Sequence, residues 1–113
     1  MLSFNQMVES NVSLDRLFGA LADSTRRDIL ARVSETALSI GEIAESYMLT
    51  FAAISKHIKV LEKADLVTKH RRGRELVVTI VPSTLDVAKE HIARYASIWA
   101  DRFDRLDEIL KEE

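Results

Sequence analysis

The cationic side chains of this chain concentrate in its middle third. Residues 47–82 contain seven Lys/Arg against three Asp/Glu, whereas residues 1–46 and 83–113 each carry a net charge of −3. The 113-residue chain has a formal net charge of −2, so it is not uniformly basic. A basic segment between two acidic ends indicates a local face that binds a polyanion, such as nucleic acid.

Residues 50–64 have the spacing of a helix with one buried side and one cationic side. At about 100° per residue, Ile54, Ile58 and Leu61 fall on one apolar line, which we expect to be buried. The opposite side has no acidic residue. It consists of Ala52, Lys56, Lys59 and Lys63, flanked by Ala53 and Ser55. Such a face suits entry into a groove of a duplex and close approach to its phosphates.

A basic turn follows this helix. Its cations are Lys69, Arg71, Arg72 and Arg74, around the single Gly73. Cations so close together repel one another, so folding alone does not explain them. The flanking runs 66–70 and 75–81 are rich in Val, Leu, Ile and Thr and predict the two strands of a hairpin with a basic tip. For both the helix face and the tip, the alternative is an ordinary solvated charge run.

Capping residues predict the helices that precede this unit. Asp23 is a cap for one helix, and Ser39 with Glu42 forms a capping box that opens a second one, over about residues 40–47. Thr50 then caps the basic helix. Two short helices joined by a brief link, the second basic on its outside, predict a helix-turn-helix. With the hairpin behind it, this unit is a winged helix.

Two further helices are predicted near the start of the chain, over residues 2–10 and, with Ser13 as its cap, over about residues 14–22. Arg26 and Arg27 follow the Asp23 cap. They either form surface ion pairs or contact a phosphate near a helix start, and the pattern favours neither.

The end of the chain predicts one long helix, from about residue 84 to about residue 111, opened by a box at Ser83 and Asp86. Its apolar stripe is Leu85, Ala88, Ile92, Tyr95, Ala96, Trp99, Phe103, Leu106 and Leu110. The helix is about 40 Å long, whereas the rest of the domain has a radius of gyration of roughly 12 Å and cannot cover it. We therefore expect a second subunit to cover the stripe. The predicted dimer interface is Ile92, Tyr95, Trp99, Phe103 and Leu106.

The composition is that of one globular domain, residues 1–113, with 47% hydrophobic and 30% charged residues. There is no cysteine, which excludes disulfides and thiolate metal sites and fits a cytoplasmic protein. No apolar run approaches the length of an export signal or a membrane span, so no membrane association is expected. The fold class predicted is mainly α with a small β-hairpin wing.

Three segments resemble the ArsR-type family of winged-helix repressors. Residues 17–30 look like the first two helices of that family, with Ser24 where proline is usual. Residues 39–44 look like its third helix, and residues 53–67 look like its recognition helix and the lead into the wing. The resemblance covers roughly residues 14–82, and the long last helix fits the dimer helix of the family.

The resemblance implies a homodimeric, sequence-specific repressor that binds a palindromic operator on double-stranded DNA through helix 50–64 and wing 69–75. Residues 14–82 are then the DNA-binding core and wing, and residues 1–22 and 83–113 the dimerisation helices. The base-reading positions of the family match Thr50, Phe51, Ala53, Ser55, Lys56 and His57 here. Lys59 adds to this face, and the wing positions match Arg71, Arg72 and Arg74.

This chain departs from the family pattern around its recognition helix. Asp65 stands in place of a glycine, where a left-handed residue is expected; Asp tolerates that conformation better than most residues. Phe51 and Ala52 replace a polar residue and a proline. Phe51 lies about 60° from the buried line. We favour packing in the core for Phe51 over contact with a thymine methyl group.

We expect no cofactor, metal site or catalytic site. The metal-sensing sites of the family use cysteines or several Asp and His ligands, whereas the dimer helix here has only His91, with Asp86 and Glu90 nearby. His57 and His70 lie in the DNA-binding part, so the three histidines do not form a cage. The sequence has no nucleophile–base–acid set and no glycine-rich phosphate loop, which argues against an enzyme. No set of residues identifies an effector.

A different class of function fits the same cations. A winged-helix interaction module whose basic wing binds an acidic protein partner shows the same charge pattern. A salt-dependent preference for one DNA sequence over random DNA is expected only of the regulator, so that measurement separates the two classes.

Overall fold

The computed structural model describes residues 14–111. Within that range the helices are α1 over residues 14–21, α2 (Ser24–Glu35), α3 (Ile40–Tyr47), α4 (Phe51–Lys63) and α5 (Pro82–Lys111). The strands are β1 (Leu38–Ser39), β2 (Val67–Arg72) and β3 (Glu75–Ile80). The predicted fold class is confirmed. The predicted helix over residues 2–10 and the Ser13 cap lie outside the described residues.

Side chains cap three of these helices, as the sequence predicts. The Asp23 carboxylate and the Thr50 hydroxyl each accept a hydrogen bond from the main-chain N–H three residues on, at 3.0 and 3.1 Å. At the start of α3, Ser39 Oγ accepts from the Glu42 N–H and the Glu42 carboxylate accepts from the Ser39 N–H, both at 3.1 Å. These bonds satisfy amide groups that a helix start leaves without partners.

The predicted cap of the last helix is wrong. The α5 helix begins at Pro82, one residue before the expected box at Ser83 and Asp86. Proline suits the first helical position because its missing N–H has no partner there in any case. The Thr84 hydroxyl instead donates to the Asp65 carbonyl, which ties the start of α5 to the end of α4.

The core lies between the first four helices and the sheet. Ile54, Ile58 and Leu61 of α4 are fully buried, as the apolar line predicts. The other large, fully buried side chains are Leu17, Ile29, Ile40, Ile43, Leu66, Val67, Val77 and Val78. The buried side of α4 thus fixes which of its faces points outward.

The wing belongs to a three-stranded antiparallel sheet with the strand order β1-β3-β2. The sequence does not predict the short strand β1, which pairs Leu38 with Val78 and Ser39 with Val77. Two residues are too few to show a strand period in the sequence. Because Ser39 also caps α3, β1 joins the start of α3 to the middle of the wing strand β3.

Among residues 14–111, two residues other than glycine adopt left-handed backbone conformations, one in the turn of the helix-turn-helix and one just after its second helix. Met48 follows α3 with φ 55°, and Asp65 follows α4 with φ 58°. The expectation for Asp65 is confirmed. Met48 takes the position where a helix-turn-helix often has glycine, and its side chain is 93% exposed, so it meets no packing obstacle there.

The α5 helix leaves the core soon after it begins. Ala88 is its one buried residue among those described, and Leu85 packs partly against the core. Beyond His91 every described residue of α5 is exposed in the single chain, as the helix length predicts. Among residues 14–111 no helix is both long and apolar enough to cross a membrane.

Candidate nucleic-acid interface

The outer face of α4 is cationic and exposed. Ala52, Lys56, Lys59 and Lys63 all lie on the surface, opposite the buried line. Within residues 14–111 no carboxylate forms an ion pair with these three lysines. We call this surface the basic face of α4. Its charge is available to a ligand because no acidic side chain of the described residues neutralises it at contact distance.

One flank of α4 faces the wing. Lys69 Nζ on β2 lies 3.3 Å from Glu62 Oε1 on α4 and links the strand to the helix. Lys69 therefore helps to hold the wing against α4, a structural role that its sequence position among the tip cations does not reveal. Ser55 is half-buried on the same side of α4.

The wing tip is tighter than the sequence indicates. Arg72 pairs with Glu75, so the turn contains only Gly73 and Arg74, and Arg71 and Arg72 lie on β2. Gly73 has φ 64°, which fits the first central position of a type II′ turn. Arg71, Arg72 and Arg74 are exposed, and none of them joins an ion pair within the described residues.

Phe51 lies in an open cleft between the start of α4 and the wing. The cleft has a volume of about 320 Å³. Its lining residues are Ser39, Gly41, Phe51, Arg71, Arg74, Glu75 and Leu76. The Phe51 side chain is 55% exposed, so the predicted packing of Phe51 in the core is wrong. The first turn of α4 projects beyond the core, which ends at Ile54.

The other flank of α4 faces α2. His57 is half-buried, and its Nδ1 lies 4.0 Å from Asp23 Oδ2 at the cap of α2. The hydrogen bond from the Arg26 main-chain N–H lowers the pKa of Asp23, and the nearby charges of Arg26 and His57 act in the same direction. The structure therefore places His57 beside an anion on its own chain. Its assignment to base reading stays a prediction.

The Arg26 and Arg27 side chains bind main-chain carbonyl groups of α1. Arg26 donates through Nε to the Ala20 carbonyl at 2.8 Å and through its terminal nitrogen to the Gly19 carbonyl at 3.1 Å. Arg27 donates to the Leu21 carbonyl at 2.7 Å. Both guanidinium groups thus cap the C-terminal end of α1, where a positive charge is favourable. Neither alternative raised by the sequence anticipates this role.

A polar cluster connects α3 to α2 through hydrogen bonds. The Tyr47 hydroxyl donates to the Asp28 carboxylate, which also accepts from Arg32 Nε at 3.3 Å. The Arg32 guanidinium lies 4.6 Å from the centre of the Tyr47 ring. Burial, followed by the hydrogen bond to Asp28 and its charge, raises the pKa of Tyr47 to about 12. The spacing of Asp28 and Arg32 indicates a surface pair, but nothing in the sequence joins them to Tyr47.

The start of α3 also lies close to the wing. Hydrogen bonds from Ser39, first from its main-chain N–H, lower the pKa of Glu42, and the charge of Arg72 lowers it further. The capping box thus brings an anion near one wing arginine. No signal in the sequence relates the two residues, because β1 sets the approach.

No metal cage is found among residues 14–111: no group of three or more His, Cys, Asp or Glu side chains converges there.

The predicted dimer residues are all exposed along α5. Trp99 and Phe103 have ring centres 6.0 Å apart, and the Arg102 guanidinium lies 5.3 Å from the Trp99 ring. An apolar strip of this length on one helix is typical of an interface.

A basic recognition helix beside a basic wing defines the class of winged helix-turn-helix DNA-binding proteins. Residues 21–70 match the model of a helix-turn-helix domain family. The chain is 36% identical over 83 residues to the HTH-type transcriptional regulator Rv2034 of Mycobacterium tuberculosis, across 74% of this chain and 78% of that protein. It is 29% identical over 72 residues to the transcriptional repressor SdpR of Bacillus subtilis, across 64% and 80%.

Solved structures agree with the fold. An ArsR-like transcriptional regulator from Rhodococcus sp. RHA1 matches with a TM-score of 0.79 at 25% identity, over 94% of this chain and 97% of that one. The homodimeric winged helix-turn-helix domain Mb0332 from Mycobacterium bovis matches with a TM-score of 0.65 at 21% identity, over 89% and 90%. The chain belongs to the ArsR-type winged helix-turn-helix family of transcriptional regulators.

Proposed function

We propose that the protein is a homodimeric repressor, not an enzyme, that acts in the cytoplasm and binds a palindromic DNA operator. The observation that supports the proposal is that two basic surfaces lie side by side and form no ion pair within residues 14–111. The basic face of α4 and the wing arginines lie on neighbouring elements, which the ion pair between Glu62 and Lys69 links.

The two surfaces suit different parts of a duplex. The basic face of α4 is convex and rigid, because three fully buried side chains anchor the opposite side of the helix. A helix of this kind fits the major groove, where each base pair presents a distinct pattern of donors and acceptors. We assign base reading to the first turns of α4, at Thr50, Phe51, Ala53, Ser55, Lys56 and His57, with Lys59 near a phosphate.

The wing suits the backbone. Arg71, Arg72 and Arg74 lie at or next to a two-residue turn at the end of a hairpin, so they reach beyond the core. Guanidinium groups bind phosphates well and also enter the minor groove. We assign these three residues to contacts that position the protein on DNA without reading the sequence directly.

The homodimer rests on the apolar strip of α5. Ile92, Tyr95, Trp99, Phe103 and Leu106 are each half or more exposed in the single chain. A twofold interface buries the same strip of both subunits and brings two recognition helices into fixed spacing. The homodimeric state of the Mycobacterium bovis domain supports this arrangement, and the name of SdpR supports repression.

Selection from a random duplex library tests the proposal. We expect a twofold-symmetric sequence whose half-sites lie about 10–10.5 base pairs apart, or a multiple of that distance. Fluorescence anisotropy should then give a higher affinity for this duplex than for a scrambled one. The affinity should fall steeply between about 50 and 200 mM salt. A reporter gene behind the selected sequence should be silenced when the protein is present.

Two results contradict the proposal. Equal affinity for the selected and scrambled duplexes removes sequence-specific binding and favours an acidic protein partner for the wing. A selected site without twofold symmetry that is bound by a single chain would contradict the proposed dimer but not the proposed DNA binding. A matched titration with poly-glutamate separates general attraction to anions from binding to DNA.

A further inference from the structure

Phe51 presents an apolar surface in the middle of a cationic one. It is the first residue of α4, its side chain is 55% exposed, and it stands outside the core cluster. A large aromatic group exposed on a cationic surface contributes nothing to phosphate binding and leaves apolar area in water. The position therefore indicates an apolar contact that forms only when a ligand is bound.

The cleft around Phe51 restricts what that ligand is. Phe51 and Leu76 supply its apolar surface, and Gly41 leaves room because it has no side chain. Arg71, Arg74 and Glu75 line the wing side of the same cleft, so two cations and one carboxylate leave it with a net positive charge. An occupant that fits this lining presents an apolar group next to an anionic group. In a duplex held by α4 and the wing, the strand that separates the two grooves passes between those elements.

One nucleotide meets both conditions. The C5-methyl group of thymine is the apolar group that an unmodified base pair presents in the major groove. It lies at the edge of the groove, close to the backbone of its own strand, so one residue reaches the methyl while another reaches a phosphate. We propose that Phe51 determines specificity by packing against a thymine methyl group, with Arg71 and Arg74 on the adjacent phosphate.

This inference rests on the proposed function and deepens it. It assigns to each half-site of the operator a thymine at one fixed position, read by its methyl group rather than by hydrogen bonds. A cytosine at that position offers an amino group in place of the neighbouring oxygen and has no methyl group. The basic face of α4 reads the remaining positions.

Replacement of thymine by deoxyuridine tests the inference, because it removes the methyl group and leaves the sugar, the phosphate and the base pairing unchanged. Each thymine of the selected operator is replaced in turn, and affinity is measured by fluorescence anisotropy. At one position per half-site we expect a loss of about fourfold, since burying one methyl group is worth ~0.8 kcal/mol and 1.4 kcal/mol corresponds to tenfold. Replacement in both half-sites should cost roughly fifteenfold.

Variants of the protein assign the effect to Phe51. Phe51→Ala should bind the thymine and deoxyuridine operators equally, whereas Phe51→Leu should keep part of the preference. Arg74→Ala should weaken both operators by the same factor and leave their ratio unchanged. Leu49→Ala is the matched control, because Leu49 is a partly exposed apolar residue two positions earlier and should leave both affinities unchanged.

The outcomes are distinct. A selected operator whose affinity is the same with deoxyuridine at every position overturns the inference and leaves the proposed function intact. A preference for thymine that persists in Phe51→Ala also overturns it. Phe51→Ala could instead lower the affinity for all operators equally while deoxyuridine has no effect. That result would indicate that Phe51 contacts the deoxyribose, and it would overturn the proposed contact with the methyl group. Failure to select any duplex overturns the proposed function, and the inference with it.

Discussion

Single residues of the DNA-binding surface divide into two kinds, and their substitution should have two different effects. Ser55 and Lys56 lie in the first turns of α4, so Ser55→Ala and Lys56→Ala should reduce the preference for operator over scrambled DNA. Removal of one good base contact costs ~1–3 kcal/mol of that discrimination. Fluorescence anisotropy with both duplexes measures it.

Substitutions in the wing provide the comparison. Arg72→Ala and Arg74→Ala should weaken all duplexes by similar factors, and the slope of log K against log[salt] should fall by about one unit for each phosphate that the variant no longer binds. Circular dichroism should show a folded protein in every case, because all four side chains lie away from the buried line of α4. Unchanged binding by all four variants would remove this surface from DNA recognition.

The raised pKa of Tyr47 predicts that the stability of the protein depends on pH. Its pKa is raised to about 12, whereas an unfolded tyrosine titrates near 10. The contribution of the protonated Tyr47 hydroxyl to the free energy of unfolding is therefore complete below pH 10. It is lost as the pH rises toward 12, because the Tyr47 hydroxyl is deprotonated at a lower pH in the unfolded state than in the folded state. Tyr47→Phe removes a hydrogen bond worth ~0.5–1.5 kcal/mol at neutral pH.

Urea unfolding at pH 7, 9 and 11 checks this prediction. The difference in unfolding free energy between the parent protein and Tyr47→Phe should shrink between pH 9 and 11. A difference that stays constant over this range would contradict the role of the Tyr47 hydroxyl in locking α3 to α2. Arg32→Gln, which keeps the hydroxyl, should retain the pH dependence.

Among the secondary-structure elements, the capping box at the start of α3 forms a junction between α3 and the wing strand β3. Ser39 is 3% exposed, caps α3 and pairs with Val77 of the wing strand β3. Ser39→Ala should cost about 1 kcal/mol of stability, the usual cost of losing a serine cap. Thermal unfolding measures this loss, and a binding assay at low temperature shows whether the wing is also displaced.

Ser34→Ala is the matched control. Ser34 is an exposed serine on α2 whose hydroxyl donates to the Ala31 carbonyl within its own helix, so its loss should change stability by less than about 0.5 kcal/mol. Equal losses from Ser34→Ala and Ser39→Ala would show that the junction adds nothing beyond local helix propensity.

At the scale of the whole molecule, the apolar strip of α5 predicts the oligomeric state. Trp99 is 54% exposed in the single chain and stacks near Phe103, so its burial depends on a partner. Loss of a buried large aromatic residue costs ~3–5 kcal/mol, which raises the dissociation constant of a dimer more than about a hundredfold. Trp99→Ala should therefore dissociate at concentrations where the parent protein is a dimer.

Sedimentation velocity over a range of concentrations measures this change. Ser97→Ala is the control, since Ser97 lies on the opposite side of α5 and is also exposed. A parent protein that sediments as a monomer at micromolar concentration would contradict the dimer directly. Loss of operator binding together with dissociation would link the two recognition helices to the α5 interface.

The local structure of this chain could be predicted from its sequence. The caps at Asp23, Ser39 and Thr50 form as predicted, because a cap depends on residues within one helical turn. The buried line of α4 and the left-handed Asp65 follow from spacing and from the chirality of the backbone. The excess length of α5 is evident from the sequence because helix length and domain size scale in known ways.

Contacts between residues that are distant in the chain could not be predicted from the sequence. The strand β1 is too short to leave a pattern, yet it brings the start of α3 to the wing and so forms the cleft that contains Phe51. The helical angle of Phe51 predicts a place in the core, but an angle does not say how far along the helix the core extends. The role of Lys69 and the lock at Tyr47 depend on partners seven or more positions away. Such contacts follow from the packing of several elements at once, which no single stretch of sequence specifies.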